Sequence, residues 1–316
     1  KLIAPYENQF HIKLCPLIES FEELRKGYEW QQKDPAKRSF LPRSLTGNWN
    51  WFRLLSRYNQ HLHFIRSFTE QADQPTVYQW LTLPKVKPKK WAAVVGKPIH
   101  FSRSPVRHET FFKKMDTYMC AISMRPIEFE QNVDWLYQLG LAYIAVTSPL
   151  KEIAYKIATS SSDKAEELKS VNTLAIDDEK ISGHNTDLGG FSLLASRLKL
   201  SQSRTVAVWG GGGTLQMMKM VLPKATFFSS QTGQERDKKI NSASDFNVVV
   251  WAAPRSPQTA MPPLEWPVEL VVDLNYAENS MGIEYAQKLI SLEKNVQYIS
   301  GINMFNEQAR QQQQFW

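Results

Sequence analysis

Four consecutive glycines, Gly210 to Gly213, separate the apolar run Val206-Ala207-Val208-Trp209 from the helical apolar pattern of Leu215, Met217 and Met218. Glycine takes positive φ without a Cβ clash, so the run permits a sharp strand-to-helix turn that bulkier residues forbid. A buried strand, a glycine turn and a helix form a βα unit. Such units assemble into parallel sheets covered by helices on both faces. The N–H groups of the turn, gathered at the positive end of a helix, also suit a pyrophosphate. A plain tight βα turn is the competing reading. Gly210, Gly211, Gly212, Gly213 and Thr214 are therefore the candidate cofactor cradle. About 20 residues on, where a dinucleotide fold chooses between a ribose hydroxyl and a 2′-phosphate, the chain reads FFSSQTGQERDKK. No Asp or Glu ends that strand, which favours NADP over NAD. Ser229, Ser230, Gln231, Arg236 and Lys238 are the residues available to meet the extra phosphate.

The same alternation organises the rest of the chain. An α/β architecture is expected: partial barrel-like βα units over 1–83, a linker over 84–90, one αβ domain over 91–197, a Rossmann dinucleotide domain over 198–297, and a helix over 298–316 returning to the first domain. In the first region HIKLCPLI, KRSFLP and HLHFIRSF read as strands, and SFEELRKGYEWQQ, NWNWFRLLSRY and QPTVYQWL as helices. Ser20 and Glu23 form a capping box. Three units cannot close a barrel, so they form an open sheet or part of a larger one. The closing segment MFNEQARQQQQFW reads as a helix with its glutamines on a solvated face. The length of 316 residues suits two or three domains.

No apolar run approaches the ~20 residues of a membrane span. The opening KLIAPYENQF lacks both a signal-peptide core and an initiator Met, so a cytoplasmic fragment or processed form is expected. Cys15 and Cys120 match no metal-ligand spacing and read as reduced thiols; no metal is expected. The net charge of +7 comes from scattered residues, apart from Lys85, Lys87, Lys89 and Lys90. With no recognition motif, nucleic acid is not the expected partner. An anionic small substrate and a phosphate-rich cofactor account for the balance.

Three segments carry candidate chemistry. In VVGKPIHFSRSPVRH, Ser104 reads as an N-cap with Pro105 at the first helical position, and Ser102 and Ser104 then sit where a carboxylate is favoured. In YIAVTSPLKE a strand ends at Thr147, Ser148 caps a helix, and Lys151 falls in the first turn. Its charge opposes the helix dipole there, and proton transfer calls for the neutral amine. In SVNTLAIDDEKISGHNTDLGGF, Asn172 lies in a strand-like stretch. Asp187 stands where a turn enters a helix, with paired glycines beside it for close backbone approach. A simple capping Asp is the other reading of that position.

Taken in order, G-x-P-I, S-x-S-P-x-x-H, V-T-x-P-x-K, V-N-T and G-x-N-T-D-x-x-G-F, the chain resembles the shikimate dehydrogenase family over about residues 91–316. The resemblance implies NADP(H)-linked interconversion of 3-dehydroshikimate and shikimate in aromatic amino-acid (chorismate) biosynthesis. It assigns Lys151 and Asp187 as the catalytic pair, Ser102 and Ser104 to the substrate carboxylate, and Thr147, Asn172 and Gln308 to the ring hydroxyls. Tyr276 matches the tyrosine near the nicotinamide. Several positions depart from the pattern. Phe101 replaces a histidine, and Ala145 replaces a hydroxyl-contacting asparagine, a loss of about 1–3 kcal/mol if nothing fills in. Lys169-Ser170 replaces Gly-Ala, Gln231 a phosphate-clamping arginine, and Glu278 a proline; Pro254-Arg255-Ser256 alters a loop. Two alternatives follow: an NAD-dependent quinate or shikimate dehydrogenase, and a non-catalytic metabolite-binding regulator.

Residues 1–83 resemble, in part, the last three βα units of a type I 3-dehydroquinate dehydratase. There Lys13 matches the Schiff-base lysine, Arg53 the carboxylate-binding arginine and Gln74 a substrate-contacting glutamine. That family draws its acid–base histidine and glutamate from earlier strands, and nothing before Lys1 supplies them. The region is thus expected to be either the tail of a bifunctional dehydratase–dehydrogenase or a scaffold remnant, without dehydratase activity of its own. The macromolecular partner to expect is a dehydratase fragment or a second copy of the chain.

Overall fold

The computed structural model describes residues 10–67, 71–99, 102–178, 180–202, 205–236, 245–276 and 279–316. The chain divides into two compact units, Lys1–Ser160 with Thr173–Gly183, and Ser161–Asn172 with His184–Trp316.

The first unit begins with β1 (Ile12–Leu14), α1 (Phe21–Gln32), β2 (Arg38–Phe40), α2 (Asn50–Leu55) and α3 (Val77–Thr82). Strands β1 and β2 pair in parallel. Ser20 and Glu23 form the capping box at the start of α1, and Thr76 and Gln79 form another on α3. The third expected strand, HLHFIRSF, is not one. Only Arg66 bridges to Thr76, in parallel, and Phe64 and Ile65 lie exposed. Among the described residues of that segment the backbone pairs with a neighbour only at Arg66, so its alternation extends no sheet.

There follow β3 (Trp91–Gly96), α4 (Ser104–Lys113), β4 (Met119–Ser123), α5 (Pro126–Gln138), β5 (Leu141–Val146), α6 (Lys151–Ile157), β6 (Ser160–Ser161), β7 (Thr173–Asp177) and β8 (Lys180–His184). Their sheet has the order β4-β3-β5-β7-β8-β6, with β3 parallel to β4 and β5, and β7 antiparallel to β5. Every residue of β3 is buried, as a central parallel strand requires. The amino-terminal segment shares this core. Trp51 stacks on Trp91 at 5.9 Å, Trp91 on Tyr118 at 6.2 Å, and Tyr28 meets Trp135 edge-on at 6.0 Å. Both cysteines are free thiols; Cys120 is buried, and burial pushes its thiol pKa up.

The second unit contains α7 (Asp163–Leu168), α8 (Thr186–Arg197), β9 (Val206–Gly210), α9 (Leu215–Val221), β10 (Thr226–Phe228), β11 (Val248–Ala252), β12 (Leu270–Asp273), α10 (Met281–Ser291), β13 (Gln297–Ser300) and α11 (Ile302–Phe315). The five strands form a parallel sheet of order β10-β9-β11-β12-β13. Alternate residues feed two cores. Val206, Val208, Val248 and Val250 face one, Ala207, Trp209, Val249 and Trp251 the other. Both faces are covered, so these strands read as continuous apolar runs. Helix α11 packs along α8, and Gln312 is buried there, donating through Nε2 to the Asn172 carbonyl at 3.2 Å. The glutamine run is therefore not the solvated face that its polarity suggested.

Among the described residues no helix is long and apolar enough to cross a membrane, and no group of three His, Cys, Asp or Glu is arranged to hold a metal.

Two histidines tie stability to pH. His63 donates through Nε2–H to the Gln60 carbonyl at 2.8 Å, and His184 stacks on Phe315 and meets the Ser162 hydroxyl at 2.6 Å. Burial lowers both pKa values below the ordinary 6.5, and for His184 the charge of Lys164 adds to the effect. The native state then binds fewer protons than the unfolded chain, so this contribution is complete above 6.5 and is lost as pH falls through the lowered values. The urea midpoint should decline between about pH 7 and pH 5, and a His63→Gln, His184→Gln double variant should flatten that decline. An unchanged slope would remove these rings from the account.

Candidate functional site

In the first unit the candidate residues emerge from the carboxyl ends of the adjacent parallel strands β3 and β5, where open α/β sheets place ligands. After β3 the chain passes through a cis Lys97–Pro98 bond, and the Ser102 N–H donates to the Ile99 carbonyl at 2.9 Å. Arg103, rather than Ser104, is the N-cap of α4. Ser104 is its first helical residue, buried, and its N–H donates to the Ser102 hydroxyl at 3.3 Å. Ser102 thus occupies the capping role that the Ser-Pro pattern suggested for its neighbour.

After β5 the Thr147 N–H donates to the Val95 carbonyl at 2.9 Å and the Lys97 N–H to the Ser148 carbonyl at 3.1 Å, so the two strand ends are stitched together. A Cβ on Gly96 would lie 2.3 Å from Thr147 Cγ2, so only glycine fits between them. Ser148 does not cap α6. The Ser148–Pro149 bond is cis, Leu150 is the N-cap, and Lys151 is the first helical residue, half-buried. The helix begins two residues later than the sequence reading placed it. Ala145 is buried on β5, opposite Val94 and Thr173.

In the second unit Asn172 and Asp187 belong to one buried constellation. Asn172 is fully buried, and its Oδ1 accepts from the Thr186 N–H at 2.8 Å while its Nδ2 lies 2.9 Å from the Thr186 hydroxyl. Asn185, not Asp187, caps α8: its Oδ1 accepts from the Leu188 N–H at 3.2 Å, and its Nδ2 donates to the Ser170 carbonyl at 2.8 Å. Asp187, buried in the first turn of α8, is thereby released from capping duty and gains the favourable end of the helix dipole. Gly189 and Gly190 serve the close approach of α11. Cβ atoms there would meet the Gln311 carboxamide at 2.2 Å and the Met304 carbonyl at 3.0 Å, with Gln308 Cβ at 3.3 Å. Gln308 is thus held on the α11 face that lies against α8. Tyr276 packs its ring 4.8 Å from that of Phe305. Asn185, Thr186 and Gln312 escaped the sequence reading. An N-T pair ahead of a helix signals a cap, and Gln312 is one helical turn beyond Gln308.

The tetraglycine turn sits where the strand order reverses between β9 and β11, the switch point at which doubly wound sheets bind ligands. Gly210, Gly211 and Gly212 have φ of +94°, +115° and +41°. A Cβ on Gly210 would press on Ala253 at 2.9 Å and one on Gly211 on Met218 at 2.8 Å, whereas Gly212 and Gly213 face open space. The Thr214 hydroxyl donates to the Gly211 carbonyl at 2.7 Å and tightens the turn. Two glycines therefore serve the fold and two leave a cradle that side chains would fill. The residues fit a pyrophosphate.

Beyond β10, the Ser229 hydroxyl accepts from the N–H groups of Gln231 and Thr232 at 3.3 and 3.4 Å, the Ser230 carbonyl accepts from Ala260, and Gln231 is exposed. Arg236 returns to the strand end, its Nε donating to the Phe228 carbonyl at 3.3 Å. Lys238, Phe101 and Glu278 lie outside the described residues.

Lys13, Arg53 and Gln74, expected to form a partial dehydratase site, make separate contacts, and none of the known proteins compared below supports a dehydratase-like region. Lys13 Nζ lies 4.9 Å from the centre of the Phe64 ring, Gln74 donates to Gln71, and Arg53 is buried, a burial that lowers its pKa. Asp73 accepts from Ser44 and from the Trp49 N–H, organising the loop ahead of α2.

Residues 94–174 match the family model of the shikimate dehydrogenase substrate binding domain. The NADP(+) shikimate dehydrogenase of Pyrococcus abyssi is 30% identical over 131 residues, 42% of this chain and 50% of that protein. The Acinetobacter baylyi enzyme of the same name is 34% identical over 129 residues, 40% and 49% of the two chains. The matches span about half the length of these curated relatives. Among solved structures, shikimate dehydrogenase from Aquifex aeolicus superposes with a TM-score of 0.58 at 22% identity, over 72% of this chain and 92% of that one. The Thermus thermophilus enzyme, solved with NADP(H) and shikimate, gives 0.60 at 19% identity, over 72% and 93%. The chain thus has an α/β fold like that of shikimate dehydrogenases, and residues 94–174 are similar in sequence to their substrate-binding domain.

Proposed function

We propose that this chain is an oxidoreductase interconverting 3-dehydroshikimate and shikimate with NADP(H). The observation that carries the proposal is the open pair Gly212–Gly213 at the switch point of a doubly wound sheet, in a chain that also sets Lys151 and Asp187 at helix starts. NADP, when bound, supplies hydride exchange at its nicotinamide ring. The chain's own residues do the rest. Backbone N–H groups of the glycine turn hold the pyrophosphate, and Arg236 offers a cation to the 2′-phosphate in place of the arginine that Gln231 displaces. Ser102 and Ser104 orient the substrate carboxylate, Thr147 and Gln308 its hydroxyls, and Tyr276 borders the nicotinamide. Lys151 and Asp187 take up the hydroxyl proton during oxidation and return it during reduction.

A second reading, a metabolite sensor without turnover, draws support from Ala145 and from the commitment of the Asn172 carboxamide to Thr186. For residues before 84 we propose a scaffold role, supported by the aromatic packing of Trp51 and Tyr28 on the first unit's core. The deciding measurement is absorbance at 340 nm with shikimate and either cofactor. Turnover with NADP+ should exceed that with NAD+ by about tenfold or more, the worth of one charge-assisted contact, and Arg236→Ala should erase the preference. Folded protein that binds shikimate yet turns over neither cofactor is a sensor.

A further inference from the structure

At the carboxyl end of β12 the second unit buries a carboxylate that the proposed reaction does not use. Asp273 is fully buried. Its Oδ1 accepts from the Asn275 N–H and from Asn275 Nδ2, each at 2.9 Å. Its Oδ2 accepts from the hydroxyl of Ser280, the N-cap of α10, and from the Tyr298 hydroxyl at 3.1 Å. Among the described residues these partners are all neutral. Burying a carboxylate is costly, and here the cost is met by hydrogen bonds that fill its acceptor sites. A side-chain oxygen that accepts from the N–H two residues on is an Asx turn, which fixes the direction the backbone takes as it leaves the strand.

Asn275 carries the network onward. It is half-buried, and its Nδ2 donates a second bond, to the Ala253 carbonyl at 3.0 Å. Ala253 is the residue against which Gly210 is packed, and the Gly211 N–H donates to the adjacent Ala252 carbonyl at 3.2 Å. The Asn275 carbonyl accepts from the N–H of Gly301, the N-cap of α11, at 3.2 Å. One side chain with its own carbonyl thus joins the ends of β11 and β12 to the start of the helix that bears Gln308. Both neighbours of Nδ2 are acceptors, so the position calls for a donor, which neither an aspartate nor an apolar residue supplies. The next residue is Tyr276, whose ring rests on Phe305 of α11.

We propose that Asn275, braced by Asp273, is a positioning residue: it fixes the Tyr276 turn relative to the glycine turn and so sets the affinity for the nicotinamide half of the cofactor, not for its adenosine half. The inference rests on the cofactor and on the place of Tyr276 in the proposed function.

Calorimetric titration of the intact chain with NADPH, and with adenosine 2′,5′-bisphosphate as the adenosine half alone, is the test. Asn275→Ala should weaken NADPH about tenfold, the worth of one or two hydrogen bonds, and leave the bisphosphate within about twofold. Tyr285→Phe is the control for stability. It deletes a hydrogen bond to the Pro263 carbonyl in the same unit and touches neither Asp273 nor Asn275, so it should lower Tm and leave both affinities in place. Unchanged NADPH binding by Asn275→Ala, equal weakening of the two ligands, or the same NADPH loss in Tyr285→Phe would overturn the proposal. A parent chain that binds no NADPH overturns it together with the cofactor assignment. One that binds NADPH without reducing 3-dehydroshikimate defeats the proposed reaction alone, and the comparison of the two ligands still decides the role of Asn275.

Discussion

If the proposed reaction holds, Lys151→Ala and Asp187→Asn should each lower kcat for shikimate oxidation by about 10²–10⁴-fold, the usual worth of a positioned acid–base group, with far smaller changes in stability. Lys151 begins α6, where a cation is disfavoured by the dipole, and it supplies no cap. Asp187 likewise leaves capping of α8 to Asn185. Neither charged side chain is the N-cap of the helix it begins. The check is a pair of measurements on each variant: initial rates at 340 nm, and Tm by calorimetry. Rates that fall only in proportion to Tm would make these residues structural. A double variant no worse than either single one would indicate that the two act as a unit, since removing one member already disables the pair.

Trp51→Ala costs about 3–5 kcal/mol of unfolding free energy, the range for deleting a fully buried large aromatic. Trp51 is 1% exposed and packs on Trp91, Phe21 and Phe52. Its indole N–H is itself buried without a hydrogen-bond partner. Trp51→Phe removes that orphan donor while keeping an aromatic ring, so its cost should be much smaller. Urea unfolding followed by circular dichroism reads both, and limited proteolysis locates the damage. If Trp51→Ala leaves the midpoint in place while only residues 10–83 become cleavable, the amino-terminal segment is a separate folding unit. A drop in the main transition makes it part of the first unit's core.

Much of this protein is legible along the chain. The apolar runs around residues 91–96, 141–146, 206–210, 248–252 and 270–273 all became buried parallel strands, because strands covered on both faces carry no polar alternation to confuse the reading. The capping box at Ser20 was legible for a local reason: both partners lie within four residues. Caps at Ser104 and Ser148 were misread, since Ser-Pro is compatible with more than one turn and the strand-end loops, tied to each other across β3 and β5, selected the start. The segment HLHFIRSF had the pattern of a strand and lacked the partner.

The sequence by itself determined the α/β class, the glycine turn after β9 and the residue types that carry chemistry, because these depend on local backbone freedom and on the order of apolar runs. Only the tertiary structure decided how those residues are used. It set Asn185 rather than Asp187 to cap α8, bound the Asn172 side chain to Thr186, and buried Gln312 against α8. It also divided four identical glycines into two that support the fold and two that stay open. The physical reason is range. Dihedral preference acts over a few residues, whereas hydrogen-bond satisfaction and close packing are settled between groups far apart in the chain, here 140 residues for Gln312 and Asn172.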